Sequence, residues 1–298
     1  MILIRLMGGL GNQLFQLALG LRLVEEAKVR VKLDASGLLR PPDDNGTRRD
    51  YGLAPYAHGM SLAKTIDRWR YGWDVRPLIH IRERLDRHRP WHARERSHER
   101  HPFTFDRDIL RLRRGLAIGY WQNPEYFSTP ALHRQLRGVL TLNNSSMSVC
   151  LRDSITHSDP QRMVAVHVRR GDLVHNPKAT LHHGVCDAAY FHRAMAIARK
   201  RLPDPRFLIF SDDPAWCRAQ FPDHDAEVVS ELGGNPHGDL EGMRRCPHHI
   251  LSNSTLGWWA AWLGMTPDSL TIAPSPWLRS DPQASEALIL STWLRLSP

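Results

Sequence analysis

The feature that most constrains this chain is a series of short, continuous apolar runs in its second half, each followed by a helical pattern. "RMVAVHV" (162–168) and "RFLIFSDD" (206–213) carry no polar alternation until their last residues. A strand that is apolar on both faces must be covered on both faces, which describes a parallel sheet in an α/β domain. "AEVVS" (226–230), "HHILSN" (248–253) and "SLTIAP" (269–274) read as further strands. "DAAYFHRAMAIARKRL" (187–202), "DLEGMRRC" (239–246) and "STLGWWAAWLG" (254–264) read as the intervening helices, and "PQASEALILSTWLRL" (282–296) as a closing helix. The first half opens the same way, with a strand over Ile2–Leu6, a glycine turn, a helix over about Asn12–Ala27 and a strand from Val29 that ends at Asp34. The composition suits two such cores: 298 residues, 42% hydrophobic, ten tryptophans. "TLNNSSMS" and "THSDPQ" read as linker between residues 141 and 160. The expected domains are 1–145 and 146–298.

The remaining composition excludes some classes. No apolar run approaches the ~18–20 residues of a membrane span. No basic segment followed by a long apolar one opens the chain, so no signal peptide is expected and the expected location is the cytoplasm. Cys150, Cys186, Cys217 and Cys246 are widely spaced without a C-x-x-C pair, which reads as free thiols. The net charge of +9 favours anionic partners without choosing among them. Much of the excess lies in residues 64–101, which hold ten arginines with interleaved Trp and Tyr. That stretch reads as surface helix or loop. It leaves open binding to RNA or peripheral contact with an anionic membrane face.

Four segments carry candidate chemistry. "GGLGNQLFQ" (8–16) nearly matches the G-x-G-x-x-G dinucleotide fingerprint, with Asp34 about twenty residues on. Leu14 replaces the third glycine, however, and Asn12-Gln13 sets two amides at the helix mouth. The NAD-dependent oxidoreductase reading is therefore weak. "HVRRGD" releases His167, Arg169, Arg170 and Asp172 from a strand end. Arginine's planar fork suits phosphate, and Asp172 can hold an arginine in place. "FSDD" offers Asp212 and Asp213 as a guanine-reading carboxylate, as a metal pair, or as a helix cap. "SNST" (252–255) ends a strand and opens a helix, whose free N–H groups form an anion site with Ser254 and Thr255 hydroxyls beside it. Trp258, Trp259 and Trp262 read as core, and His248-His249 as an ordinary strand start rather than a metal site.

"GGLGNQLFQ", "GYWQNPEYF", "HVRRGD", "FSDD" and "HHILSNSTLGWWAAWL", in this order, resemble the α-1,2-fucosyltransferases of glycosyltransferase family 11 across almost the whole chain. The resemblance implies an α/β fold of the GT-B type, two Rossmann-like domains facing across a cleft, with the acceptor on the N-terminal one and the donor on the C-terminal one. It implies GDP-fucose as donor, a galactose-containing glycan as acceptor, inversion at the anomeric carbon, no cofactor, no metal and no nucleic-acid partner. Arg169 would bind the diphosphate and stabilise departing GDP, supported by Arg170 and Asp172. His167, Asp212, Asn253, Ser254 and Thr255 would line the donor pocket. Asn12 would face the reacting sugar, with Gly11 and Gln13 in the same turn. Two departures stand out: Leu256-Gly257 where Phe-Ser is usual, and the acidic Glu125 in "NPEYF". No residue presents itself as the general base.

Overall fold

A computed structural model describes residues 1–38, 49–71, 84–142, 147–171, 174, 180–181, 184–230 and 235–298. The chain divides into two compact units, Met1–Leu140 and Thr141–Pro298.

The first unit is a four-stranded parallel sheet. Its strands are β1 (Ile2–Arg5), β2 (Val31–Asp34), β3 (Arg96–His98) and β4 (Gly115–Ile118), in the order β2-β1-β4-β3. Every residue of β1 is buried. Helix α1 (Leu10–Ala27) follows it and is buried over most of its circumference from Leu10 to Leu23, so it packs as a core element. It ends at Lys28, which takes the left-handed conformation at φ 52°. The short helix α2 (Thr65–Trp69) starts within the basic stretch, and α3 (Pro130–Val139) closes the unit.

The second unit is a six-stranded sheet with every pairing parallel. It contains β5 (Met163–Val168), β6 (Arg206–Ser211), β7 (Ala226–Val228), β8 (His248–Ile250), β9 (Thr271–Pro274) and β10 (Leu294–Leu296), in the order β10-β9-β8-β5-β6-β7. The helices are α4 (Val149–Thr156), α5 (Ala188–Arg201), α6 (Pro214–Gln220), α7 (Pro236–Met243), α8 (Thr255–Gly264) and α9 (Pro282–Ser285). On one face, Val164, Val166, Phe207, Ile209, Ile250 and Ile272 pack with Tyr190, Phe191, Ala194, Met195 and Ala198. On the other, Phe210 and Leu151 press against Gly242 of α7 so closely that an added Cβ would sit 2.9 and 2.7 Å from them. Both faces are thus covered, as the apolar runs require.

Three expectations about elements change. The segment 141–160 is not all linker, since Val149–Thr156 is helical and capped by Ser148. The closing segment is not one helix. Its helix ends at Ser285, and Glu286 accepts hydrogen bonds from Ser275 Oγ (2.6 Å) and Arg295 Nε (2.9 Å). These contacts accompany the return of Leu294–Leu296 as an edge strand beside β9, against the helix propensity of an Ala/Leu-rich stretch. The basic stretch contributes strand β3, and several of its described arginines serve internal contacts. Arg68 donates to Ala63 O, Arg94 to Arg89 O, and Arg100 grips Asp106 and Asp108 over the Trp91 ring. Residues 72–83 lie outside the described residues.

Candidate functional site

In each sheet the first strand is flanked on one side by the strand that follows it and on the other by a later strand, so the chain reverses its course across the sheet there. Such a switch point leaves a crevice beyond the strand ends, where open α/β sheets bind ligands. In the second unit it lies between β5 and β8. Ser252 N–H donates to His167 O (3.0 Å), and Ser252 Oγ lies 3.3 Å from His167 Nδ1. His167 is nearly buried, and that burial lowers its pKa to about 4, so its imidazole is neutral near pH 7. It can donate one hydrogen bond and brings no charge to a phosphate. His167 also abuts the first turn of α8. A Cβ on Gly257 would sit 2.6 Å from its Nδ1. This gives the Leu256-Gly257 departure a physical reason: with His167 placed so, residue 257 has no room for a side chain.

Beyond β5, Arg169 and Arg170 meet the two aspartates that follow β6. Arg169 Nη1 is 2.7 Å from Asp212 Oδ2, and Arg170 N–H donates to Asp212 Oδ1 (2.9 Å). Arg170 Nε lies 3.3 Å from Asp213 Oδ2, and its guanidinium sits 3.8 Å over the Trp216 ring. Asp213 also caps α6, accepting from Trp216 N–H, with Pro214 in the first turn. Asp212 therefore holds the Arg169 side chain and the Arg170 backbone, while Asp213 holds the Arg170 side chain. Each Asp212 oxygen takes one bond from the two arginines, Oδ2 from the Arg169 guanidinium and Oδ1 from Arg170 N–H, which places Asp212 at the base of the cluster. Asp172, expected in that supporting role, lies outside the described residues. Arg169 and Asp212 side chains keep about a quarter of their surface exposed (28% and 25%), so the pair is open to an incoming anion.

Helix α8 begins beside this cluster. Its N-cap residue, Ser254, makes no side-chain cap hydrogen bond, and the helix points its positive end out of the sheet at this end of β8. Thr255 is the first helical residue. Asn253 Nδ2 donates to Gly184 O (3.2 Å), and Asn253 lines a cavity of about 280 Å³ with Cys186, Pro274, Pro276 and Arg279. Trp258, Trp259 and Trp262 are all buried, and Trp258 Nε1 donates to Leu288 O (2.7 Å), as core residues do. His248 and His249 each bond a backbone carbonyl, of Gln161 and Met243. Among the described residues no three His, Cys, Asp or Glu side chains converge as a metal-holding group. Cys186, Cys217 and Cys246 are buried free thiols whose pKa burial raises to about 12, 11 and 12.

The first unit's switch point, between β1 and β4, holds the glycine loop. Gly8 takes φ 73°, which glycine alone adopts without strain. Gln13, fully buried, donates from Nε2 to Gly8 O (3.0 Å) and Asp50 O (2.9 Å) and accepts from Gly52 N–H (2.9 Å). Both of its N–H donors are thus used by backbone, which corrects its assignment as a ligand contact: Gln13 is a clamp on the loop. Gln16 does the same, accepting from Met7 N–H and donating to Gly119 O. Gly11 is buried in the first turn of α1. Asn12 is partly exposed and accepts from Gln122 Nε2 (2.8 Å). Asp34, where a dinucleotide site would place its ribose-binding carboxylate, is fully buried and paired with Arg5 Nε (2.9 Å). Asp34 is thus committed to Arg5 inside the protein, and the dinucleotide fingerprint fails at this residue.

The residues whose roles the sequence did not reveal are Gln122 and Trp216. The motif spacing D-P-x-W after a strand end does signal Trp216, because an Asp cap fixes the third residue of the helix beside it.

The crevice at β5 and β8 thus combines two arginines held by aspartates with a helix N-terminus, the donor set of a phosphate-containing substrate. The profile of Glycosyl transferase family 11 matches residues 116–297, more than half of the chain, and the protein belongs to that family. It is 28% identical over 302 residues to an alpha-1,2-colitosyltransferase of Escherichia coli, covering 99% of this chain and 98% of that one. It is 32% identical over 147 residues to galactoside alpha-(1,2)-fucosyltransferase 2 of Rattus norvegicus, covering 47% of this chain and 41% of that one. Among solved structures it is similar to the NodZ alpha-1,6-fucosyltransferase soaked with GDP-fucose, with a TM-score of 0.45, 15% identity, and coverage of 91% and 94%. No helix among the described residues is long and apolar enough to cross a membrane.

Proposed function

We propose that this glycosyltransferase moves fucose from GDP-fucose to the 2-hydroxyl of a galactose-type residue on a glycan, with inversion and without a metal. The second unit takes the donor and the first the acceptor. The observation that carries the reading is the pairing of Arg169 with Asp212 at the end of β5, the strand whose His167 abuts Gly257 in the first turn of α8. As the bond from the anomeric carbon to the diphosphate breaks, negative charge grows on the leaving phosphate. A guanidinium and a helix N-terminus aimed at the phosphate stabilise that charge. Arg170, flattened on Trp216 and tied to Asp213, serves the same anion. His167, neutral, donates to a ribose or phosphate oxygen. Thr255 and Asn253 border the donor, and Asn12, bridged to Gln122, faces the sugar. The net charge of +9 supports peripheral contact with an anionic membrane face from the cytoplasmic side.

The test is thermal stabilisation in EDTA by GDP, GDP-fucose, UDP-galactose and NAD, followed by transfer to galactose-ended acceptors. GDP and GDP-fucose are expected to raise Tm, since a ligand at ~100 times its Kd adds about 2.7 kcal/mol. No response to GDP in EDTA, or a response to NAD alone, overturns the proposal. The similarity along nearly the whole chain to a colitosyltransferase makes nucleotide-activated colitose the competing donor, and the ratio of kcat/KM for the two donors decides between them.

A further inference from the structure

The first unit's switch point contains a carboxylate that the glycine loop does not explain. Glu99 directly follows β3 and reaches over to the loop after β4. Its Oε2 accepts from Tyr120 N–H (2.8 Å) and its Oε1 from Trp121 N–H (3.0 Å). The next residue, Gln122, donates to Asn12, so Glu99, Gln122 and Asn12 form one continuous polar rim along the ends of β3, β4 and β1. Gly119 is required for this approach, because a Cβ there would lie 2.8 Å from Glu99 Oε2. Trp121 is held with φ 56°, a conformation a bulky side chain rarely adopts, and such backbone outliers gather at functional sites.

Glu99 also stands apart by its charge environment. In a chain with 40 Lys and Arg against 31 Asp and Glu, it forms no ion pair among the described residues. Its neighbour Arg100 turns instead to Asp106 and Asp108. Two backbone N–H groups use one lone pair on each oxygen and leave the other pair of sites open. Burial away from water raises its carboxyl above the usual range, outweighing those two N–H bonds, which lower it. The titratable groups that face it are Tyr120 and Tyr126, whose own pKa values burial and Glu99 both raise, so both are neutral near pH 7.

We propose that Glu99 is the general base for the acceptor. It takes the proton from the attacking hydroxyl as that oxygen bonds to the anomeric carbon. The bond from that carbon to the diphosphate breaks, and its electron pair leaves on the phosphate oxygen. The O–H proton ends on the Glu99 carboxylate and is lost to solvent after release. This rests on the fucosyltransferase reading above, with the acceptor on the first unit. It deepens that reading by naming the residue that activates the hydroxyl.

The experiment is the pH profile of kcat/KM for transfer by wild type and Glu99→Gln, with GDP-fucose stabilisation measured on both. Wild type is expected to lose rate as pH falls through a pKa above the ordinary ~4.3 of a glutamate. Glu99→Gln is expected to bind GDP-fucose as wild type does, to turn over roughly 10²–10⁴-fold more slowly, and to lose that acid limb. Formate added to Glu99→Ala is expected to restore part of the rate, which a purely structural role for the carboxylate would not produce. Wild-type turnover with an unchanged profile in Glu99→Gln overturns the proposal. If that variant does not fold, a wild-type profile with no limb above the ordinary carboxylate range overturns it alone. Failure of wild type to bind or transfer fucose would instead remove the fucosyltransferase reading itself.

Discussion

Beyond β1, Gln13 and Gln16 turn their amides into the protein and bond backbone atoms. Beyond β5, Arg169 and Arg170 stand at the surface, gripped by Asp212 and Asp213. Both sets follow the first strand of a parallel sheet and both border a switch point. The difference is exposure: Gln13 and Gln16 have none, whereas Arg169 keeps 28% of its side chain in solvent. A polar group that is buried and saturated shapes the backbone. One that is oriented by a partner yet still wet can exchange that partner for a ligand. The glycine loop, for all its likeness to a cofactor fingerprint, belongs mainly to the first kind.

The sharpest way to break this contrast is Arg169→Ala. Transfer is expected to fall roughly 10²–10³-fold while urea unfolding is unchanged, because the partner it releases, Asp212, is partly solvated. An unaltered rate would make the arginine cluster a surface feature. Gln13→Ala should do the reverse. Removing its amide strands Gly8 O, Asp50 O and Gly52 N, at a cost on the order of 3 kcal/mol in unfolding free energy, while donor-induced stabilisation survives. A stable variant that no longer binds donor would reverse the assignment. Gly257→Ser, next in size, forces His167 off Ser252. It is expected to lower stability by about 1–3 kcal/mol and weaken the GDP response, read as a smaller Tm shift.

A separate effect concerns acid. His167 and His249 have folded-state pKa values lowered by burial to about 4, against 6.5 unfolded. Between those limits the unfolded chain binds protons that the folded chain does not. Their contribution to stability is therefore complete above pH 6.5 and declines as pH falls towards 4. Urea midpoints at pH 7.5, 6 and 5 measure it, and a flat series would mean that these imidazoles protonate in place.

The apolar runs at 162–168 and 206–213 were legible because a strand buried on both faces admits almost no other pattern. The Arg-Arg and Asp-Asp pairs were legible as chemistry, since charged side chains at the end of a buried run have to emerge from the sheet. The direction of a short amide was not: Asn12 and Gln13 are adjacent, and only the approach of Gly8, Asp50 and Gly52 turns the second one inward. Strand β3 was hidden because Arg96-Ser97-His98 shows no apolar alternation, its one buried residue being a serine. With β3 unseen, Glu99 looked like one charge among many in a basic run. Its position at a strand end depends on pairing with β4, a contact that no local pattern encodes.

The Arg169–Asp212 contact has a kinetic implication. A guanidinium that already has a carboxylate partner gives up one anion to accept another, so much of the Coulombic gain of seizing a phosphate is cancelled. In the reaction proposed here the same carboxylate waits beside the arginine when the spent nucleotide is ready to leave, and re-forms its contact as the phosphate withdraws. In that reaction Asp212 would act as a tethered competitor, shortening the residence of the product and leaving the tightest grip for the instant when the charge on the leaving group is greatest.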